Sequence, residues 1–145
     1  MEIFTSRRTT PELNHLLNCP AASFSAFVVH HVQRRRGYFL LSQVGKQTRI
    51  VDIAVESSDP AAWRAACVLA TRAAAEIPDT CEIVAGFSMD RVNEAFVKVG
   101  FRRRGSIPIF CYDPKKLLGA ESALGLSMLD GDLCFITNPR NPFLT

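Results

Sequence analysis

The residues best able to take up a proton in this chain are the carboxylates Asp52, Glu56 and Glu82. Asp52 lies beside Ile50 and Ala54 in the run Arg49 to Val55, a partly apolar setting that raises a carboxylate toward the range of a general base. Pairing with an arginine would instead fix it as a structural anion, and the sequence leaves both readings open. Glu82 falls at the end of an apolar run. The phenols are Tyr38 and Tyr112. His30 and His31 are adjacent in a β-rich run, so their side chains point to opposite faces and cannot share one metal. The cysteines, Cys19, Cys67, Cys81, Cys111 and Cys134, are odd in number and contain no C-x-x-C pair. That excludes a disulfide framework and a zinc site as first readings and leaves buried small apolar residues. No local signature supports a Ser/His/Asp or Cys/His set. Arg34 to Arg36 and Arg102 to Arg104 form two basic clusters. Each sits at a strand boundary, and a net charge of only +3 favours solvated edge charge over nucleic-acid binding.

The elements that must position these groups are read from periodicity. Thr10 to Asn18 carries Leu13, Leu16 and Leu17 at helical spacing behind a Thr-Pro start, and Cys19-Pro20 ends it. Ser23 to Gln33 and Tyr38 to Val44 are rich in Phe, Val and Leu and are separated by Arg34 to Gly37, which predicts a hairpin. Gly45-Lys46 turns into a third strand, Arg49 to Val55, with Val51, Ile53 and Val55 on one face and Ile50, Asp52 and Ala54 on the other. The period then changes. Asp59 or Ser58 can cap a helix with Pro60 in its first turn, and Trp63, Ala66, Cys67, Ala70 and Ala74 share one face.

Cys81 to Phe87 is apolar on both faces apart from Glu82, as a central strand would be. Ser88 is a candidate N-cap for a helix with Val92, Ala95, Phe96 and Val99 in one stripe and Gly100 as its stop. Two final strands are expected at Ile107 to Tyr112 and Gly125 to Ile136, joined through a helical turn in Asp113 to Leu118. The expectation is one mixed α+β domain over 1–145: a short helix and linker in 1–22, a core in 23–136 and a tail in 137–145.

Composition is that of a globular chain, 48% apolar and 21% charged. The longest apolar runs fall far short of the ~20 residues that a bilayer span requires, and Met1 to Thr10 lacks a signal-peptide apolar region, so a cytoplasmic setting is expected.

The order of meander, helix, central strand, helix and two strands, with the junction Asn93-Glu94-Ala95-Phe96-Val97-Lys98-Val99-Gly100-Phe101, resembles the GNAT family of N-acetyltransferases. The likeness covers about Ser23 to Ile136, and Thr10 to Pro20 with Gly37-Tyr38-Phe39 and Arg49-Ile50-Val51-Asp52 looks similar to the C-terminal portion of longer members of that family. It implies that a first strand and two helices are missing or supplied otherwise, by a longer chain, by a second copy in a homodimer or by an unusual N-terminus.

The resemblance also implies an acetyl-CoA or other acyl-CoA substrate and an amine acceptor, either a small molecule or a protein. The thioester tail would lie beside Ile53, Ala54 and Val55, and the pyrophosphate at the helix start near Ala61, Ala62 and Arg64. Asn93 matches a helix asparagine that contacts the cofactor. Asp52, Glu56 or Glu82 would then be the base. Phe96 stands where family members place the acid tyrosine, so Tyr38, Tyr112, Cys81 or water would have to replace it. The loop Glu56 to Arg64 has no glycine, whereas the family's has two. The alternative is a non-catalytic module of the same fold that binds a protein partner or an anionic ligand. No metal is implied.

Overall fold

The computed structural model describes residues 3–6, 8–106, 108, 110, 112–119 and 123–135. Its centre is a four-stranded sheet in the order β2-β3-β4-β5. Strands β2 (Ser23–His31), β3 (Arg34–Val44) and β4 (Gln47–Val55) form the expected antiparallel meander. Helix α2 (Pro60–Ala75) crosses over, and β5 (Glu82–Ala85) pairs parallel to β4. Helix α3 (Asp90–Lys98) follows. Before the meander lie β1 (Ile3–Thr5) and α1 (Thr10–Leu17); near the end, β6 (Ala123–Gly125) pairs parallel to β1 and leads into two 3-10 turns, Met128–Asp130 and Asp132–Cys134.

One face of the sheet packs on α2 and α3. Phe39, Leu41, Ile50 and Ile53 meet Trp63, Ala66, Cys67, Ala70 and Ala74 of α2 and Val92, Ala95 and Phe96 of α3, all buried. The helix face predicted for α2 is the one observed. Its alanines at i, i+4 and i+8 let the backbone lie close to the sheet, while Trp63 supplies the bulk at the first turn. Burial pushes the Cys67 thiol up to about 12.

The opposite face is covered from the chain ends. Leu40 and Val51 pack with Met128, Leu129 and Cys134, flanked by Leu13 and Leu16 of α1. The segment expected as a strand from Gly125 to Ile136 instead holds the end of β6 and the two 3-10 turns, because Met128, Leu129 and Cys134 curl under the sheet rather than extend it. Ile136 lies outside the described residues. In the stretch expected as a strand from Ile107 to Tyr112, the described residues 108, 110 and 112 are not in a strand, and Phe110 and Tyr112 are 92% and 90% exposed. Residues 107, 109 and 111 lie outside the description.

Three local expectations are corrected. The hairpin does not turn at Arg34 to Gly37; His31 pairs with Arg34 around Val32-Gln33, and a bulge opposite Val29/His30 absorbs Arg36. The predicted alternation along β4 also fails, since Leu40 pairs with Asp52 but Leu41 with Ile50, leaving Val51 as an extra residue. That bulge puts Ile50 and Ile53 toward the helices and Val51 toward the other face. Finally, Met89 rather than Ser88 caps α3, because the Ser88 hydroxyl is drawn to Leu124 and Leu126. Among the cysteines, Cys67 and Cys134 are buried as expected, Cys19 is half-buried, Cys81 is exposed, and Cys111 lies outside the description.

Candidate functional site

The sheet opens at the β4 bulge. The parallel ladder runs from Gln47↔Glu82 to Ile50↔Ala85 and stops there, while β4 continues to Val55 paired only with β3. Beyond Ala85 the chain turns aside, and Phe87 bridges Ser127. From Asp52 to Val55, backbone groups that face away from β3 therefore have no registered strand partner, the arrangement an extended ligand needs. Ile53, Ala54 and Val55 are the residues that line this stretch. Ile53 is buried in the helix-side core, whereas Ala54 and Val55 are half-buried.

Directly beneath the parting strand lies a polar cluster. Asp52 is 6% exposed and accepts hydrogen bonds from Arg8 Nε at 2.9 Å and from the Tyr38 hydroxyl at 2.8 Å. The same guanidinium donates to Asp130 Oδ1 and Oδ2, each at 2.9 Å, and to Ser127 Oγ at 3.2 Å. Ser6 bonds both Arg8 and Asp130. Burial alone would lower the Arg8 pKa, but Asp52 and Asp130 outweigh it and hold it above the usual arginine value. Burial, then the Asp52 charge, raises Tyr38 well above an ordinary phenol. Burial would raise Asp130, yet bonds from Ser6, the Ser127 N–H and Arg8 hold it below the usual carboxylate range. Two of the predicted site residues, Asp52 and Tyr38, are thus brought together, but as members of an arginine clasp.

The start of α2 is closed by its own cap. Asp59 Oδ1 accepts the Ala61 N–H at 2.9 Å, and the Asp59 carbonyl accepts from Ala62 and Trp63. Pro60 has no N–H to offer. An anion arriving here would have to displace the Asp59 carboxylate against its charge. Ala61 and Arg64 are exposed and Ala62 half-buried. Trp63 is 3% exposed, donates its indole N–H to the Ser57 carbonyl at 2.8 Å and carries the Arg91 guanidinium over its ring at 4.9 Å.

The remaining predicted residues are dispersed. Glu82 accepts from Gln47 at 2.7 Å at the far end of the β4/β5 ladder, where Gln47 in turn accepts from the buried Arg49. Glu56 is exposed, and its N–H donates to the Arg36 carbonyl at 2.7 Å. Asn93 donates to the Phe87 carbonyl at 2.8 Å, which ties the β5–α3 connection. Phe96 stacks with Phe87 at 5.6 Å and meets Phe101 edge-on at 4.9 Å. Cys81 begins the chain's approach to β5 and is exposed. Among the described residues, no group of three or more His, Cys, Asp or Glu side chains is placed to hold a metal. No helix among them is long and apolar enough to cross a membrane.

Arg8, Ser127 and Asp130 escape a sequence reading. Asp52 lies 44 residues from Arg8, and Asp130 lies 122 from it, so no local spacing announces the cluster. Gly37 is a second such position: a Cβ there would collide with the Ala54 carbonyl oxygen, so only glycine lets β3 pass this close to β4. No family model matches the chain, and neither does any curated protein or solved structure.

Proposed function

We propose that this chain is a degenerate GNAT-like module: it keeps the parted strands that frame a thioester tail, supplies no catalytic group of its own and acts by binding a partner protein. The observation that carries this reading is the state of Asp52. Its carboxylate is already engaged by Arg8 and Tyr38 and is almost fully buried, so an amine would have to displace one of those partners to reach it. Tyr38 is correspondingly a poor acid, since its raised pKa disfavours giving up the proton. The self-capped start of α2 argues the same way against a pyrophosphate. What the fold leaves open is the β2 edge, nine residues without Asp, Glu, Lys, Arg, Pro or Gly and with Phe27 and Val28 exposed at 36% and 57%.

A second reading, an acyl-CoA-dependent N-acyltransferase, is favoured by one observation, the loss of β4/β5 pairing after Ile50. Acetyl-CoA added to the purified chain with a mixture of primary amines separates the two. The first reading expects thiol release at the buffer rate and no rise in melting temperature up to millimolar acetyl-CoA. Amine-dependent release that disappears in Asp52→Asn would overturn it in favour of the second.

A further inference from the structure

The tip of the β2–β3 hairpin combines features that neither the sheet nor the parted strands require. The turn residues Val32 and Gln33 both adopt positive φ, 47° and 63°. Two-residue turns of this kind favour Asn or Gly, and a β-branched residue there is a conformational outlier. Val32 gains no packing in return, being 81% exposed at the apex.

Around this apolar point stands a belt of basic side chains. His30 and His31 end one strand, Arg34, Arg35 and Arg36 begin the other, and all but the half-buried Arg36 are exposed. The register pairs His31 with Arg34 and His30 with Arg35, while the bulge leaves Arg36 as an extra residue in the ladder. Consecutive residues on a strand face opposite ways, so cations stand on both sides of the ribbon. None of the three arginines forms an ion pair among the described residues, where both salt bridges belong to Arg8. Residues 13–51 contain no Asp or Glu, and the nearest acid placed beside the belt, Glu56, meets only its base, where its N–H donates to the Arg36 carbonyl.

We propose that this hairpin tip is a peripheral docking element for an anionic lipid bilayer. With a rise of roughly 3.3 Å per residue, Arg34, level with His31, lies about 3 Å behind the apex, and Arg35, level with His30, about 7 Å behind it. Insertion of Val32 to the headgroup boundary, about 5–10 Å deep, therefore brings the guanidinium groups level with lipid phosphates. A duplex nucleic acid would satisfy the arginines equally well. It offers nothing to an apolar apex held in a strained turn, and so the lipid surface is the better match. This inference is independent of how the parted strands are used.

The test is co-sedimentation of the full chain with phosphatidylcholine vesicles, with and without phosphatidylserine, alongside a duplex DNA competitor. Two variants accompany it. Val32→Asn suits the turn better and removes only the apolar apex, and the triple change Arg34→Ser, Arg35→Ser, Arg36→Ser removes the belt; circular dichroism checks that both fold. The expected result is binding that requires phosphatidylserine, weakens in salt, falls about a hundredfold in the triple arginine variant and falls separately in Val32→Asn. No binding to phosphatidylserine vesicles overturns the proposal. So does binding that Val32→Asn leaves unchanged and that duplex DNA competes away, the signature of a general attraction to polyanions.

Discussion

The two faces of the central sheet are built by different means. Toward the helices, Trp63, Ala66, Cys67, Ala70 and Ala74 close a dry core with Phe39, Leu41, Ile50 and Ile53. Toward the chain ends, a smaller apolar cluster around Leu40, Val51 and Met128 is rimmed by an ionic clasp in which one arginine serves two aspartates. The first face is held by shape and dehydration, which tolerate changes of charge elsewhere. The second is held by a few directional bonds between segments remote in sequence, and losing one partner strands the others. A carboxylate at such a rim is well placed for chemistry but is employed in closure.

The comparison can be broken on either face. Trp63→Ala should have the largest effect, about 3–5 kcal/mol lost in a denaturant titration, because it removes the bulkiest side chain of the dry core and its bond to Ser57. A loss below about 1 kcal/mol would mean that the helix face does not depend on that packing. Gly37→Ala probes the junction of the two faces: the new methyl meets the Ala54 carbonyl oxygen, and a cost of roughly 1–3 kcal/mol is expected by the same measurement.

The smallest effect is the acid sensitivity of the clasp. Asp130 is held below the ordinary carboxylate range, so as pH falls the unfolded chain takes up the proton first. Its contribution is fully present above the unfolded value of about 3.9 and is lost as pH falls through the folded value. Denaturation midpoints followed from neutral to acidic pH should show this loss in the native sequence and a flatter profile in Asp130→Asn. Parallel profiles would remove Asp130 from the clasp.

Legibility follows the same division. The α2 face was readable because a helix repeats its buried positions every three or four residues, and the meander because Phe, Val and Leu cluster between turn residues. The β4 faces are not legible in the alternation because a single bulged residue, Val51, reverses it without leaving a local mark. The C-terminal turns read as a strand in sequence because Met128, Leu129 and Leu133 are apolar in any conformation, and only the space beneath Leu40 and Val51 makes them curl. Asp52 and Tyr38, residues whose types suit chemistry, do meet. Their common partner, Arg8, could not be foreseen, since ion pairs across 44 and 122 residues carry no spacing rule.

A double-mutant cycle on Arg8→Met and Asp52→Asn, read by denaturant unfolding, addresses the state of Asp52 most directly. If the carboxylate is bound up in closure, the two changes couple by about 1–3 kcal/mol, the double variant losing far less than the sum of the singles. Additive losses would contradict that, leaving Asp52 free of Arg8 and available to act as a base.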